Sequence, residues 1–327
     1  MACGTARLSG TMASRDGNGW VRCALGHRHW GRFGAAGLLA FVTGGPVVLQ
    51  RRTWWSHHGG TWGLPGGARD SHESALAAAL REAAEECEVP PDAVRPRGVF
   101  TDDHGGWSYT TVLAEAAKQF PVRADDDETD EVAWVPLPVV ASLDLHPGLA
   151  AHWAELSGEL SPVTIIADGA NVVGSRPDGW WRDRAGAAVR LRDELAPLAG
   201  RGITDLPDAA GRVGPTDGRQ DGTVGDGRRA NRDRSAMDRA GDGLTRMQWL
   251  PDVVLVVEGA ARSAALDPGD SPVRMVAAQG SGDDAIAALA AQTVGRRIVV
   301  TADRELRARC VAAGASVAGP GWLFSQL

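Results

Sequence analysis

GARDSHESALAAALREAAEECEV, residues 67–89, decides how the first half of the chain is read. From Ser71 to Val89 it contains no Gly or Pro and is rich in Ala and Leu, which predicts a helix. Asp70 or Ser71 is placed to cap its start, and Pro90-Pro91 to stop it. Residues three and four apart share a helix face, so Glu82, Glu85 and Glu86 point one way. Leu76, Leu80 and Ala84 lie on another stripe, expected to pack inward. Three carboxylates on one face repel each other unless something positive sits among them. Hard oxygen donors suit Mg²⁺ or Mn²⁺; a solvated acidic face is the other reading of the same residues.

The stretch before the helix, GTWGLPGGARDSHE at 60–73, carries Gly66-Gly67, which allows a tight turn and a close backbone approach. Gly67, Glu73, Arg81, Glu82, Glu85, Glu86 and Val89, with Ala83 in an aliphatic slot, keep one continuous spacing. That spacing resembles the signature box of Nudix (MutT-like) hydrolases. One position departs: the glycine that ends the helix in that family is Glu88 here. The resemblance implies an α/β/α sandwich with the box as loop–helix–loop. It also implies Mg²⁺ (or Mn²⁺) held by Glu82, Glu85 and Glu86, with Arg81 orienting a glutamate and Glu73 bonding to the same loop. The chemistry implied is attack of water on a nucleoside diphosphate linked to another group, with Gly66 and Gly67 near the substrate. A carboxylate beside such an ion, Glu85 or Glu86, is suited to accept the proton of that water.

At 327 residues the chain has the length of two domains. A net charge of -7 argues against a protein that coats nucleic acid over its whole surface, while leaving room for a local basic channel. Cys3, Cys23, Cys87 and Cys310 form no CxxC pair, and the N-terminus shows no secretory signal pattern. Reduced thiols in a cytoplasmic protein are expected. No apolar run approaches the ~18 residues of a membrane span. Nothing in the composition speaks to oligomeric state.

Residues 1–34 read as a tail and lead-in, small and polar to about residue 19 and expected to be disordered there. Cys23, His27 and His29 lie close enough in sequence for a metal knuckle, but a zinc site needs four ligands and no second pair is visible. The other reading is a lead-in whose Trp30 and Phe33 pack on the domain. The first domain is placed at 35–158. Ala36–Phe41 and 46–51 read as strands around a Gly44-Gly45 turn, as do 98–101 and 107–116, and 143–156 reads as a closing helix. Trp54 and Trp55, with His57 and His58, either stack on a base or cover the core edge. The loop His104 to Trp107 is a second candidate for substrate selection. Glu128 and Glu131, in the acidic run 124–137, either add to the metal site or are solvated.

A second domain is placed at 161–327. The stretches 161–174, 253–260, 273–292 and 297–314 each carry an apolar strand, and strands alternate with helical stretches, the pattern of a parallel sheet flanked by helices. In such sheets functional residues collect beyond the carboxyl ends of the strands. Asp168, Glu258, Asp283, Asp284 and Asp303 fall there, with Asn171 in the DGAN turn. Helix capping accounts for Asp283 and Asp303 by themselves, but is not expected for Asp168 or Glu258. The pieces DGAN at 168–171, GDDAI at 282–286 and VVTADREL at 299–306 are similar to the NYN subgroup of PIN-like ribonuclease domains. That resemblance implies metal-dependent RNA hydrolysis, with Asp168, Asp283 and Asp303 as ligands. Trp180 and Trp181 beside Arg176, Arg182 and Arg184 suit either single-stranded RNA or a core. The Gly/Asp/Arg-rich segment 207–243 is expected to be a disordered insertion within this domain. The combined expectation is a diphosphate hydrolase fused to an RNA-cutting domain; the alternative is a sensing or RNA-binding protein in which one domain is not catalytic.

Overall fold

The computed structural model describes residues 15–124, 128–207, 243–266 and 269–327. The 207–243 segment lies outside the described residues except at its two ends.

Alternation on one strand organises the first half. β1 (Trp20–Arg22) and β2 (Arg28–Trp30) form an antiparallel lead-in hairpin. β3 (Ala35–Phe41) is buried along nearly its whole length. Its Ala36, Leu38 and Ala40 face the helix α1 (Ala75–Cys87). Leu39 and Phe41 face the opposite side, where the short α2 (Leu137–Val140) and the longer α3 (Pro147–Gly158) lie. Successive side chains of a strand point to opposite faces, so one apolar run serves both layers. Around β3 lie β4 (Val47–Arg52), β5 (Trp62–Gly63), β6 (Gly66–Ala68), β7 (Val94–Asp103), β8 (Ser108–Ala116) and β9 (Thr129–Val135). The β3–β8 pair is parallel and the rest of this sheet is antiparallel.

The second sheet is wholly parallel. It uses β10 (Val163–Asp168), β12 (Asp252–Val257), β13 (Val273–Ala277), β14 (Arg296–Val300) and β15 (Ser316–Ala318), in the order β13-β12-β10-β14-β15. The short α4 (Gly169–Gly174) follows β10. α5 (Arg184–Arg201) packs Leu191, Leu195 and Leu198 on one face of the sheet, joined by Trp322 and Leu323 of α8 (Pro320–Ser325). Ile286 of α6 (Gly282–Gln292) and Leu306 and Cys310 of α7 (Arg304–Ala312) cover the other.

The strand β11 (Leu244–Trp249), immediately after the 207–243 segment, does not join this second sheet. It pairs antiparallel with β7, adding an outer strand to the first. Sequence reading had left it out, because its mixed polar residues lack the apolar run of a central strand. Arg97 donates to Asp252 at the start of β12 (2.8 Å), and Arg95 bonds the same carboxylate. Trp249 Nε1 and Arg296 both donate to Glu159 (2.7 and 2.6 Å).

Several local expectations need correction. Ser74, not Asp70 or Ser71, caps α1, accepting from the Ala77 amide. Asp70 is engaged elsewhere, accepting from Gly17 N (2.7 Å). The inward stripe of α1 is Ala78, Ala79, Ala83 and Cys87, while Leu76 and Leu80 flank it half-buried. Small residues let the helix axis approach β3. Trp30 and Phe33 stay exposed and do not pack the lead-in down.

α1 ends before Pro90-Pro91. Glu88 turns into the left-handed region (φ 50°, ψ 32°), and the amides of Glu88 and Val89 both reach the Ala83 carbonyl. A side chain in that conformation costs about 1 kcal/mol that glycine avoids. Glu88→Gly is therefore expected to raise stability by about that amount, read as a higher melting temperature; an unchanged or lower value would contradict this account of the helix end.

Candidate functional site

α1 carries its carboxylates to a glycine turn. Glu82 and Glu86 are buried and Glu85 is exposed, so the three share a face but not an environment. Arg81 links them. Its Nε and Nη2 donate to the two oxygens of Glu73 (2.6 and 2.8 Å), and its Nη1 donates to Glu82 (2.7 Å) and Glu85 (3.2 Å). The fork of five guanidinium donors permits this multiple contact. Glu73 also accepts from the Asp70 amide (3.2 Å), closing the loop that precedes the helix. The Arg81 hydrogen bond holds the Glu73 carboxyl below the usual range. Burial pushes Glu82 above it, against the pull of Arg81.

Glu86 is held differently. Its Oε2 accepts from Gly66 N (2.8 Å) and from Gln50 Nε2 (3.0 Å). Gln50 is fixed in turn by Thr129 Oγ1 (3.0 Å) and Cys87 Sγ (3.3 Å). Sequence reading missed Gln50; the only available signal was a polar residue directly after the apolar run Val47–Leu49 of β4. The two glycines are needed for space. A Cβ on Gly66 would sit 2.4 Å from the Ala36 carbonyl oxygen, and one on Gly67 would sit 2.8 Å from the Glu82 carboxylate.

A cavity of about 180 Å³ opens beside this turn. Gly66, Tyr109, Phe100, His104, Trp107 and His152 are among its walls. Trp107 stacks on His29 (centroids 3.8 Å, planes 6° apart). Burial, then the Glu86 charge, pushes the Tyr109 hydroxyl up. Of the two loops singled out in the sequence, His104 to Trp107 contributes to this cavity. Trp54 and Trp55 do not line it; they are 82% and 55% exposed, and so do not cover the core edge either. Glu131 pairs with Arg51 across β4 and β9 at 3.7 Å, and Glu128 stands just before β9.

Residues 15–17, inside the segment expected to be disordered, are fastened to the box. Arg15 Nη2 donates to Glu85 (2.7 Å), and Asp16 accepts from the Ser71 amide (2.9 Å) and hydroxyl (2.6 Å).

In the second half, β10, β12, β14 and α6 bring acids to one edge of the parallel sheet. Asp168 accepts from Asn171 N (3.0 Å) and Thr301 Oγ1 (2.9 Å), so it does cap α4, contrary to expectation. The Asn171 side chain accepts from Ala302 N (2.8 Å), which ties the two strand ends together. Asp303 caps α7 through Leu306 N (2.8 Å), and Glu258 accepts from Gly282 N (2.8 Å). Burial, followed by the neighbouring acids, raises the carboxyls of Asp168 and Asp283. Asp168, Glu258, Asp283 and Asp303 thus feel one another's charge. Asp284 turns away to pair with Arg309 (2.7 Å). Trp180 packs partly against the core, while Trp181 is exposed. Arg176 is taken up by Glu194 (2.7 Å).

The NUDIX domain family matches residues 31–155. The chain is 44% identical over 160 residues to the putative 8-oxo-dGTP diphosphatase 3 of Mycobacterium tuberculosis, covering 46% of this chain and 72% of that protein. It is 41% identical over 154 residues to a nucleoside triphosphate pyrophosphatase/Nudix hydrolase fusion protein of Bifidobacterium longum, covering 45% of this chain and 32% of that one. Among solved structures, the M. smegmatis Nudix hydrolase RenU is 47% identical with a TM-score of 0.40, covering 43% of this chain and 94% of that chain.

Because the atoms a Cβ on Gly67 would meet are the end of a side chain, Gly67→Ala should displace Glu82 while sparing the fold. The expected result is a loss of turnover of about 10²-fold with a melting temperature within about 4 °C of the parent; full activity would contradict the stated role of the close approach.

Proposed function

The chain belongs to the Nudix family, and on that footing we propose that residues 35–158 form a Mg²⁺-dependent (or Mn²⁺-dependent) diphosphate hydrolase domain. The observation that carries this reading is the Glu82, Glu85 and Glu86 face set against the glycine turn and the cavity. Its donor set, carboxylate oxygens only, fits a hard divalent cation. Such an ion, when bound, neutralises charge on the diphosphate oxygens and lowers the pKa of water. Glu82, Glu85 and Glu86 would hold it. Arg81, paired to Glu73, orients Glu82 and Glu85. Glu85, the exposed member, is the best placed to take a proton from water, with Glu86 as the second candidate. Gly66 and Gly67 would lie against the phosphates, and Trp54 and Trp55, exposed after β4, are the aromatics proposed to stack on a bound nucleotide.

A nucleoside triphosphate is the substrate class we infer. The aromatic cavity wall beside the carboxylates supports it, as does the relative named for 8-oxo-dGTP. Residues 161–327 we read as a NYN/PIN-like domain directed at RNA, with Asp168, Asp283 and Asp303 as metal ligands and Asn171 and Glu258 beside them. The convergence of these acids supports that reading. In the second reading this domain only binds RNA while the first senses or hydrolyses nucleotide; the pairing of Asp284 with Arg309 removes Asp284 from the candidate ligands in either case. A cytoplasmic location is proposed; among the described residues no helix is long and apolar enough to cross a membrane.

Glu85→Gln is expected to lower Mg²⁺-dependent hydrolysis of nucleoside triphosphates by about 10²-fold or more with little change in melting. Unchanged turnover would place the chemistry elsewhere. For the second domain, Asp168→Asn should abolish cleavage of single-stranded RNA; cleavage that persists in this variant would refute the assignment.

A further inference from the structure

We propose that the lead-in hairpin and the β7–β8 turn together hold a zinc ion through Cys23, His27, His29 and His104. The thiol and one imidazole nitrogen from each histidine lie within 4.8 Å of one another, and all four residues are buried. A tetrahedral zinc site needs ligand atoms roughly 3.5 Å apart, which small side-chain rotations supply. Three of the ligands come from the chain on either side of one tight turn. The Cys23 amide donates to the His27 carbonyl (3.1 Å), and the Gly26 amide to the Cys23 carbonyl (3.0 Å). His104, the fourth, comes from 75 residues beyond His29, where the fold restores the ligand that sequence spacing lacks. The Ala24 amide donates to the Gly105 carbonyl (2.8 Å), so backbone bonding already joins the two segments.

Hydrogen bonding supplies a second, independent observation. His27 Nδ1 and His104 Nδ1 are buried and have no hydrogen-bond partner among the described residues. A buried polar atom in that condition costs stability unless something binds it. His104 Nε2 meets Asp102 Oδ2 at 3.0 Å, which leaves Nδ1 as the nitrogen directed at the cluster. A carboxylate behind a ligating imidazole is the usual support of a metal-bound histidine. One thiolate with three imidazoles selects zinc over Mg²⁺ or Ca²⁺, which take oxygen. Four protein ligands close the coordination sphere, so the ion is structural. Its effect on function is positional. It sets His29 against Trp107 and His104 against Asp102, and all four line the cavity. It is thus separate from the carboxylate face on α1.

The test is the zinc content of the full chain, produced without a metal-affinity tag, supplied with zinc and dialysed exhaustively. About one zinc per chain is expected in the parent protein and in Glu85→Gln. In Cys23→Ser and in His27→Ala it should fall below about a tenth of that. A parent protein without zinc, or a Cys23→Ser variant that keeps it, overturns the proposal. Because either variant can misfold, Co²⁺ is also loaded into the parent chain. A thiolate-to-cobalt charge-transfer band with intense tetrahedral d–d bands is expected, and cobalt bound without a thiolate band overturns the assignment of Cys23.

Discussion

The guanidinium of Arg81, among the carboxylates of Glu73, Glu82 and Glu85, is the contact on which the first half of the molecule depends. Without it α1 would carry a run of like charges against a partly dry surface, which the low local dielectric makes expensive. With it, the helix can press a face of Ala78, Ala79, Ala83 and Cys87 onto β3 while keeping Glu82 and Glu86 buried. The approach is close enough that Gly67 has no room for a Cβ beside Glu82. Sequence, helix packing and site chemistry are therefore one constraint. Small residues bring the helix in, glycines receive it, and Arg81 balances the charge that arrives.

The two halves of the chain are coupled by strands as well as by ion pairs. β11 leaves the second half to extend the first sheet, and the next residues begin β12 of the second. Asp252, at that start, is gripped by Arg95 and Arg97 of β7. Glu159, between α3 and β10, is gripped by Arg296 of β14. Backbone pairing and these partly exposed ion pairs thereby join the two sheets.

Much of this was legible in the sequence because periodicity and spacing are local. The helix and its acidic face, the strand pair around Gly44-Gly45, and the parallel sheet with acids beyond its strand ends all follow from patterns within some twenty residues. What was not legible depended on distance. Gln50 reaches Glu86 from another strand, and His104 reaches Cys23, His27 and His29 from another loop. β11 makes its pairing with a strand that lies far back in the chain. Asp70 and Ser71 looked like helix caps because their type suits the role; tertiary bonds to Gly17 and Asp16 claimed them and left the cap to Ser74. At Glu88 the reverse holds: the left-handed turn that glycine makes in the family box forms here with a glutamate in its place.

The central claim is that the acidic face of α1 is built to bind a divalent cation. Mn²⁺ binding followed by electron paramagnetic resonance tests it most directly, because it reads the site without assuming a substrate. The account predicts that the parent chain takes up Mn²⁺ and that paired Glu82→Gln and Glu86→Gln changes abolish this uptake while leaving the folded far-ultraviolet spectrum. Equal Mn²⁺ uptake by the doubly substituted chain, or none by the parent, would contradict it.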